Sequence, residues 1–263
     1  MVVQVEIFQK TFYESILNYI KMNDLPRSNV QPIRFGDEGL AATRELRSRF
    51  DGVAPSWEKD VGHPRIAALR SQLAVLEQMD RQYGGETPLG LEGLDALVGA
   101  IFTELAHFQN DLRHAAGEEP LADIVLAVAL WSIRHAVEIP VVEPVVNALA
   151  YRSNQARSRN ALAAAFSLMQ GLIAHVASRL APDLERSNPE RPWRLLHLNL
   201  AITAIRTEDP AMMDFAFDAL ESALPDEREG FFAEALARAL SPGVSPEVRS
   251  RIEKRHLKWT RDA

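Results

Sequence analysis

The chain contains no cysteine, and that single absence removes disulfides, thiolate-bound zinc, iron–sulfur clusters and a cysteine nucleophile. Any metal would have to be held by histidine and carboxylate. Positive charge is not in excess either: 29 basic against 36 acidic residues leave a net charge of −7. That balance argues against a generalised attraction to nucleic acid or to an anionic membrane. Strict alternation of apolar and polar residues is confined to VVQVEIF at the start, where Val5, Phe8, Phe12, Ile16 and Ile20 keep a helical spacing equally well. Phosphate-binding glycine patterns are missing too. GGETPLGLEG (84–93) precedes a helix, but it lacks the Gly-Lys-Ser/Thr ending, does not spell Gly-x-Gly-x-x-Gly and follows no strand. It reads as a turn between helices. Gly-x-Ser-x-Gly, His-Glu-x-x-His and the EF-hand pattern do not occur.

Long uncharged runs are scarce, with one exception. Residues 160–178 carry no formal charge, close to the length that spans a bilayer. Asn160, Ser167, Gln170, His175 and Ser178 interrupt the run and alanine fills much of the rest, so the expectation is a buried central helix and not a membrane span. The N-terminus carries Glu6 and Lys10 inside its apolar region without a basic lead, unlike a secretory signal. A cytoplasmic setting is the corresponding expectation.

What the chain has is helical periodicity. An apolar fraction of 47% over 263 residues is enough for a substantial core, and the apolar positions recur at three and four. The spacing predicts about eleven helices, near 4–22, 37–50, 63–83, 91–116, 120–138, 140–155, 158–181, 191–206, 210–223, 226–240 and 245–260. Pro64, Pro120, Pro140, Pro192, Pro210 and Pro246 fall where a first turn tolerates a missing amide hydrogen, and Gly84, Gly85 and Gly117 where helices stop. Short links make neighbours antiparallel. The fold class is therefore all-α: helical hairpins packed as an α-solenoid of HEAT or TPR kind, or as an irregular bundle.

The irregular stretches 23–35 and 51–62 suggest an N-terminal helical appendage over 1–62 followed by a main repeat-like domain over 63–263, with one compact domain as the alternative. IRHAVEIPVVEPVVNALA from Ile133 and IRTEDPAMMDFAFDALES from Ile205 resemble each other about two hairpins apart, as repeats would. Phe217, Leu220 and Pro225 have the spacing of a second tetratricopeptide helix, but the first-helix signature is absent and no family is indicated.

Two constellations could carry function. In TELAHFQNDLRH (103–114), Glu104, His107, Asp111 and His114 form one polar stripe beside an apolar face made by Leu94, Leu97, Val98, Ile101, Leu105, Phe108 and Leu112. Glu-x-x-His is the arrangement of helical-bundle di-iron sites, and Glu253 and His256 repeat it. An iron, manganese or zinc enzyme using that stripe is the alternative reading, and it requires ligands from facing helices. The leading reading is an ordinary solvated flank.

The second constellation is a reversal of charge. Thr207 to Glu229 holds eight acidic residues, Asp214, Asp218 and Glu221 among them, against Arg228 alone. The last helix then carries Arg249, Arg251, Lys254, Arg255, Lys258 and Arg261. Such segregation suits internal complementarity, self-association or docking of a partner. The expectation is a non-catalytic scaffold or adaptor that binds another protein, or a second copy of itself, through Arg251, Lys254, Arg255, Lys258, Asp214, Asp218 and Glu221. Nucleic acid is disfavoured, the only other basic cluster being Arg152, Arg157 and Arg159. His135, His175, Trp131 and Trp193 read as core residues.

Overall fold

A computed structural model describes residues 45–83, 89–112, 118–184 and 186–260. The predicted helix 4–22, the loop 23–35, and Gly84, Gly85, His114, Gly117 and Arg261 lie outside them. Among the described residues there are ten helices and no strand, so the fold is all-α. We label them α1 (Leu46–Val61), α2 (His63–Tyr83), α3 (Leu94–Asp111), α4 (Glu118–Arg134), α5 (Glu143–Gln155), α6 (Arg159–Leu180), α7 (Pro192–Thr207), α8 (Pro210–Ala223), α9 (Arg228–Ala239) and α10 (Pro246–Thr260). Contacts divide the described chain into two compact units, one of residues 45–152 and 167–192, the other of 153–166 and 193–260.

In the first unit α1 packs against α2, α3 and α4. The sequence reading ended a helix at residue 50 and made 51–62 a loop; the structure instead runs α1 through that stretch, with Pro55 inside it. Leu46, Phe50, Ala54, Trp57 and Val61 recur at helical spacing and are all buried. Trp57 meets Phe50 at 6.1 Å and Phe108 of α3 at 6.2 Å, both edge-on. Burying this face offsets the roughly 3 kcal/mol that an interior proline costs. The start of α1 was equally hard to read, because Glu45 makes no side-chain cap. The Glu77 carboxylate of α2 does so in its place, accepting the Arg47 amide hydrogen at 2.7 Å where the helix dipole favours an anion.

Predicted α4 is shorter than its pattern suggested: it ends at Arg134, and Ala136 then takes φ +53°. His135 falls just past the helix end, fully buried. Its Nε2 and the Arg134 Nη2 both meet Asp80 Oδ1, at 3.1 and 2.8 Å. His175 likewise has a partner, the Val137 carbonyl at 2.9 Å. Arg179 donates to the Pro140 carbonyl at 3.0 Å and to that of Ile139.

α6 is not the enclosed centre expected of it. Leu162, Phe166, Met169, Leu172 and Val176 are buried along one side, whereas Ala161 and Ala174 are exposed. It is the one described helix long and apolar enough to cross a membrane. Two helices are enclosed instead: α4 in the first unit, where every residue from Ile124 to Ser132 is buried, and α7 in the second, where every residue from Leu200 to Thr207 is buried. Its C-terminal turn leads directly into α8, whose start is built locally: Asp209 accepts the amide hydrogens of Ala211 and Met212, both at 2.9 Å, with Pro210 in the first turn. Phe217 of α8 and Phe232 of α9 then pack edge-on at 5.2 Å.

Candidate functional site

The polar stripe of α3 is answered across a groove, but by a cation. Arg65, in the first turn of α2, places Nε 3.0 Å from Glu104 Oε2 and Nη1 2.6 Å from Asp111 Oδ2. Its guanidinium also lies over the Phe108 ring, 5.1 Å from the centroid. Burial tends to lower the Arg65 pKa, but Asp111 and Glu104 outweigh it and hold the guanidinium more firmly protonated than usual. His107 points to solvent on the exposed side of the helix. Glu104 and Asp111 of the stripe thus meet one and the same group, and it is an arginine. A fixed positive charge between two carboxylates opposes a metal ion there. Among the described residues no three His, Asp or Glu side chains gather closely enough to hold a metal, Glu253 and His256 included.

The charge reversal near the C-terminus becomes a ladder. Asp214, Asp218 and Glu221 stand at i, i+4 and i+7 on α8, which is one helix face. Arg251, Arg255 and Lys258 have the same spacing on α10. They meet rung by rung: Arg251 Nη1 to Asp214 at 2.6 Å, Arg255 Nη1 to Asp218 at 2.5 Å, and Lys258 Nζ to Glu221 at 2.6 Å. In each rung the partner lies 37 residues further along the chain. A constant offset means that α8 and α10 run parallel, as they must when a single antiparallel helix, α9, separates them in sequence. Seven of the predicted interaction residues thus share one region, and six of them pair with one another. Lys254 is exposed beside the ladder.

The inner end of the ladder is the tightest. The Glu221 side chain is only 8% exposed and also accepts from Arg255 Nη1 at 3.0 Å. Burial pushes its carboxyl up, but Lys258, the Trp259 indole N–H and Arg255 together hold it below the usual carboxylate range. Trp259 acts at longer range, since its Nε1 makes no complete hydrogen bond. The outer rungs stay wet, the Asp218 side chain being 69% exposed. Trp259 is itself capped by the Arg228 guanidinium of α9, 3.5 Å from the ring centroid.

The third basic cluster does not behave as one. Arg152 pairs with Glu119 at 3.2 Å and Asp123 at 3.0 Å, and Arg159 pairs with Glu208 at 2.7 Å. Asp123 keeps a raised pKa because burial outweighs Arg152. Arg157 alone of the three makes no ion pair among the described residues.

Sequence reasoning missed three arginines and an aspartate that organise these regions: Arg65, Arg134, Arg206 and Asp80. Each acts on a residue remote in sequence, so spacing along one helix could not reveal it. Arg134 and Arg206 did leave a trace, as the shared Ile-Arg of the two similar segments. No family model matches the chain, and the comparisons with curated proteins and with solved structures found no match.

Proposed function

We propose that this chain is a non-catalytic helical scaffold that binds another protein through the α8–α10 surface. The observation that carries the reading is the parallel ladder with its constant register. Three acidic and three basic side chains are held in rows by their own pairing, while the Asp214 and Lys258 side chains remain about half exposed, at 49% each. Rows of pre-positioned charge suit partner selection, because orienting them costs little further entropy on association. A helical pair at fixed register is also how stacked hairpins build extended binding faces. Self-association through the same face is the second form of this reading, and a reducing cytoplasmic setting agrees with the cysteine-free composition.

The test must separate the ladder's structural role from a docking role. Exchanging the signs of all six residues (D214R, D218R, E221K, R251D, R255D, K258E) keeps every rung complementary while inverting the surface. Cross-linking the full chain in its own cell extract, followed by mass spectrometry, should recover partners with the native rows and lose them with the inverted rows at unchanged helicity. Identical recovery from both would remove the assignment.

A further inference from the structure

Arg206 lies in the last turn of α7 with 1% of its surface exposed, and no carboxylate among the described residues meets it. Its Nη1 donates to the Ser153 carbonyl at 2.6 Å and to Ser153 Oγ at 3.2 Å. Ser153 belongs to the last turn of α5, where carbonyls lack intrahelical partners and the dipole favours a cation. One edge of the guanidinium is therefore accounted for as a cap. Ser153 Oγ is in turn 2.8 Å from Thr203 Oγ1, so the side chain that orients Arg206 is itself held.

The other edge is buried and has no partner among the described residues. Nε and Nη2 carry the two N–H groups that point in parallel, and both atoms are buried without an acceptor. This is the edge that grips a carboxylate or phosphate with two bonds at once. The arginine of the corresponding Ile-Arg pair is treated differently: Arg134 meets Asp80 at 2.8 Å with both side chains buried. Burial pulls the Arg206 pKa down to about 10, still protonated at neutral pH, and the positive charge of Arg157, exposed on the link between α5 and α6, adds to that fall. Glu208 does not supply the missing charge, since it is engaged by Arg159.

We infer that Arg206 and Arg157 form a binding site for a small oxyanion, a carboxylate or phosphoryl group gripped by Arg206 Nε and Nη2 and screened from solvent by Arg157. An anion in that position satisfies two buried donors and relieves the repulsion between two guanidinium groups. Ser153 and Thr203 fix the guanidinium in advance. The site shares no residue with the α8–α10 ladder, so its failure leaves the scaffold reading standing, and the reverse also holds.

The experiment uses the full chain labelled with 15N-arginine, in which the Arg206 Nε–Hε resonance is assigned by its loss in R206K. Inorganic phosphate and acetate are titrated separately, against chloride at matched ionic strength. A saturable shift of that resonance with phosphate identifies a phosphoryl site and one with acetate a carboxylate site; chloride moves it little. Calorimetry should then show affinity for the effective anion weakened by about tenfold or more in R206K, which keeps the charge but loses the fork, and severalfold in R157Q. If R206K does not fold, the calorimetric affinities of the wild type and of the exposed R157Q variant decide. A resonance that moves with neither anion, or affinity unchanged in R206K or R157Q, overturns the site.

Discussion

Lys258 Nζ stands 2.6 Å from Glu221 Oε2, closing the inner end of a ladder between two parallel helices. Arg255 takes the other carboxylate oxygen at 3.0 Å. Because these partners hold the Glu221 carboxyl below its unfolded value, the stability it contributes is fully present above about pH 4.5 and is lost as pH falls through the folded value. Glu221→Gln should lower stability at pH 7 by about 2 kcal/mol. Urea melts from pH 7 down to pH 3 should show the gap between wild type and variant closing with acidity. A gap that is constant with pH would mean the carboxylate charge is not what matters.

Asp80 is the acceptor shared by Arg134 and His135, whose side chains are 3% and 0% exposed. Asp80→Ala removes the acceptor that two buried side chains share, so we expect a loss of about 3–5 kcal/mol and a fall in Tm on the order of 10 °C. Differential scanning calorimetry of purified protein checks this. A fall of only a degree or two would contradict the burial seen here.

Pro55 is exposed within α1 and interrupts its hydrogen-bond ladder. Pro55→Ala restores an amide hydrogen at an exposed position. The gain, offset in part by a looser unfolded chain, should be about 1–2 kcal/mol. Chemical denaturation gives the answer directly; a destabilised variant would show that the proline holds a kink the packing needs.

Arg65 bridges Glu104 and Asp111 at the edge of solvent, each side chain being about a third exposed. Arg65→Met should therefore cost no more than about 1 kcal/mol. With the arginine in place, dialysis against a chelator is expected to leave the Tm unchanged. A chelator-dependent fall, reversed by iron, manganese or zinc, would revive the Glu104, His107, Asp111 and His114 metal centre.

Gly99 in α3 comes so near Pro140 that a β-carbon would stand 3.0 Å from the ring Cγ. Alanine gains helix propensity and loses it again to that contact, so Gly99→Ala should be close to neutral. Gly99→Val adds bulk against the ring and should destabilise by about 1–3 kcal/mol, measurable as a lower urea midpoint.

Most helices were legible in the sequence because burial of one face imposes a period of three to four on the chain. α8 is the clearest case: Asp209 and Pro210 mark its start, and Met213, Ala216, Phe217 and Leu220 mark its buried side. α1 was illegible for a physical reason. Its cap comes from Glu77 on another helix, and its proline is tolerated only because Trp57 packs between Phe50 and Phe108. The candidate sites divide in the same way. The rows Asp214, Asp218, Glu221 and Arg251, Arg255, Lys258 each follow from helical spacing.

That the chain is cysteine-free, helical and charge-segregated was determined by its sequence alone, since composition and periodicity are local properties. Which charges meet which was decided only by tertiary structure. Helical geometry places Glu104 and Asp111 on one flank, yet only the packing of α2 on α3 makes Arg65 their neighbour. Likewise an arginine at the end of α7 is unremarkable in one dimension. Packing against the end of α5 satisfies one edge of Arg206 and buries the other without an acceptor. Opposite charges are matched by distance in space, and nothing within a single helix encodes that distance.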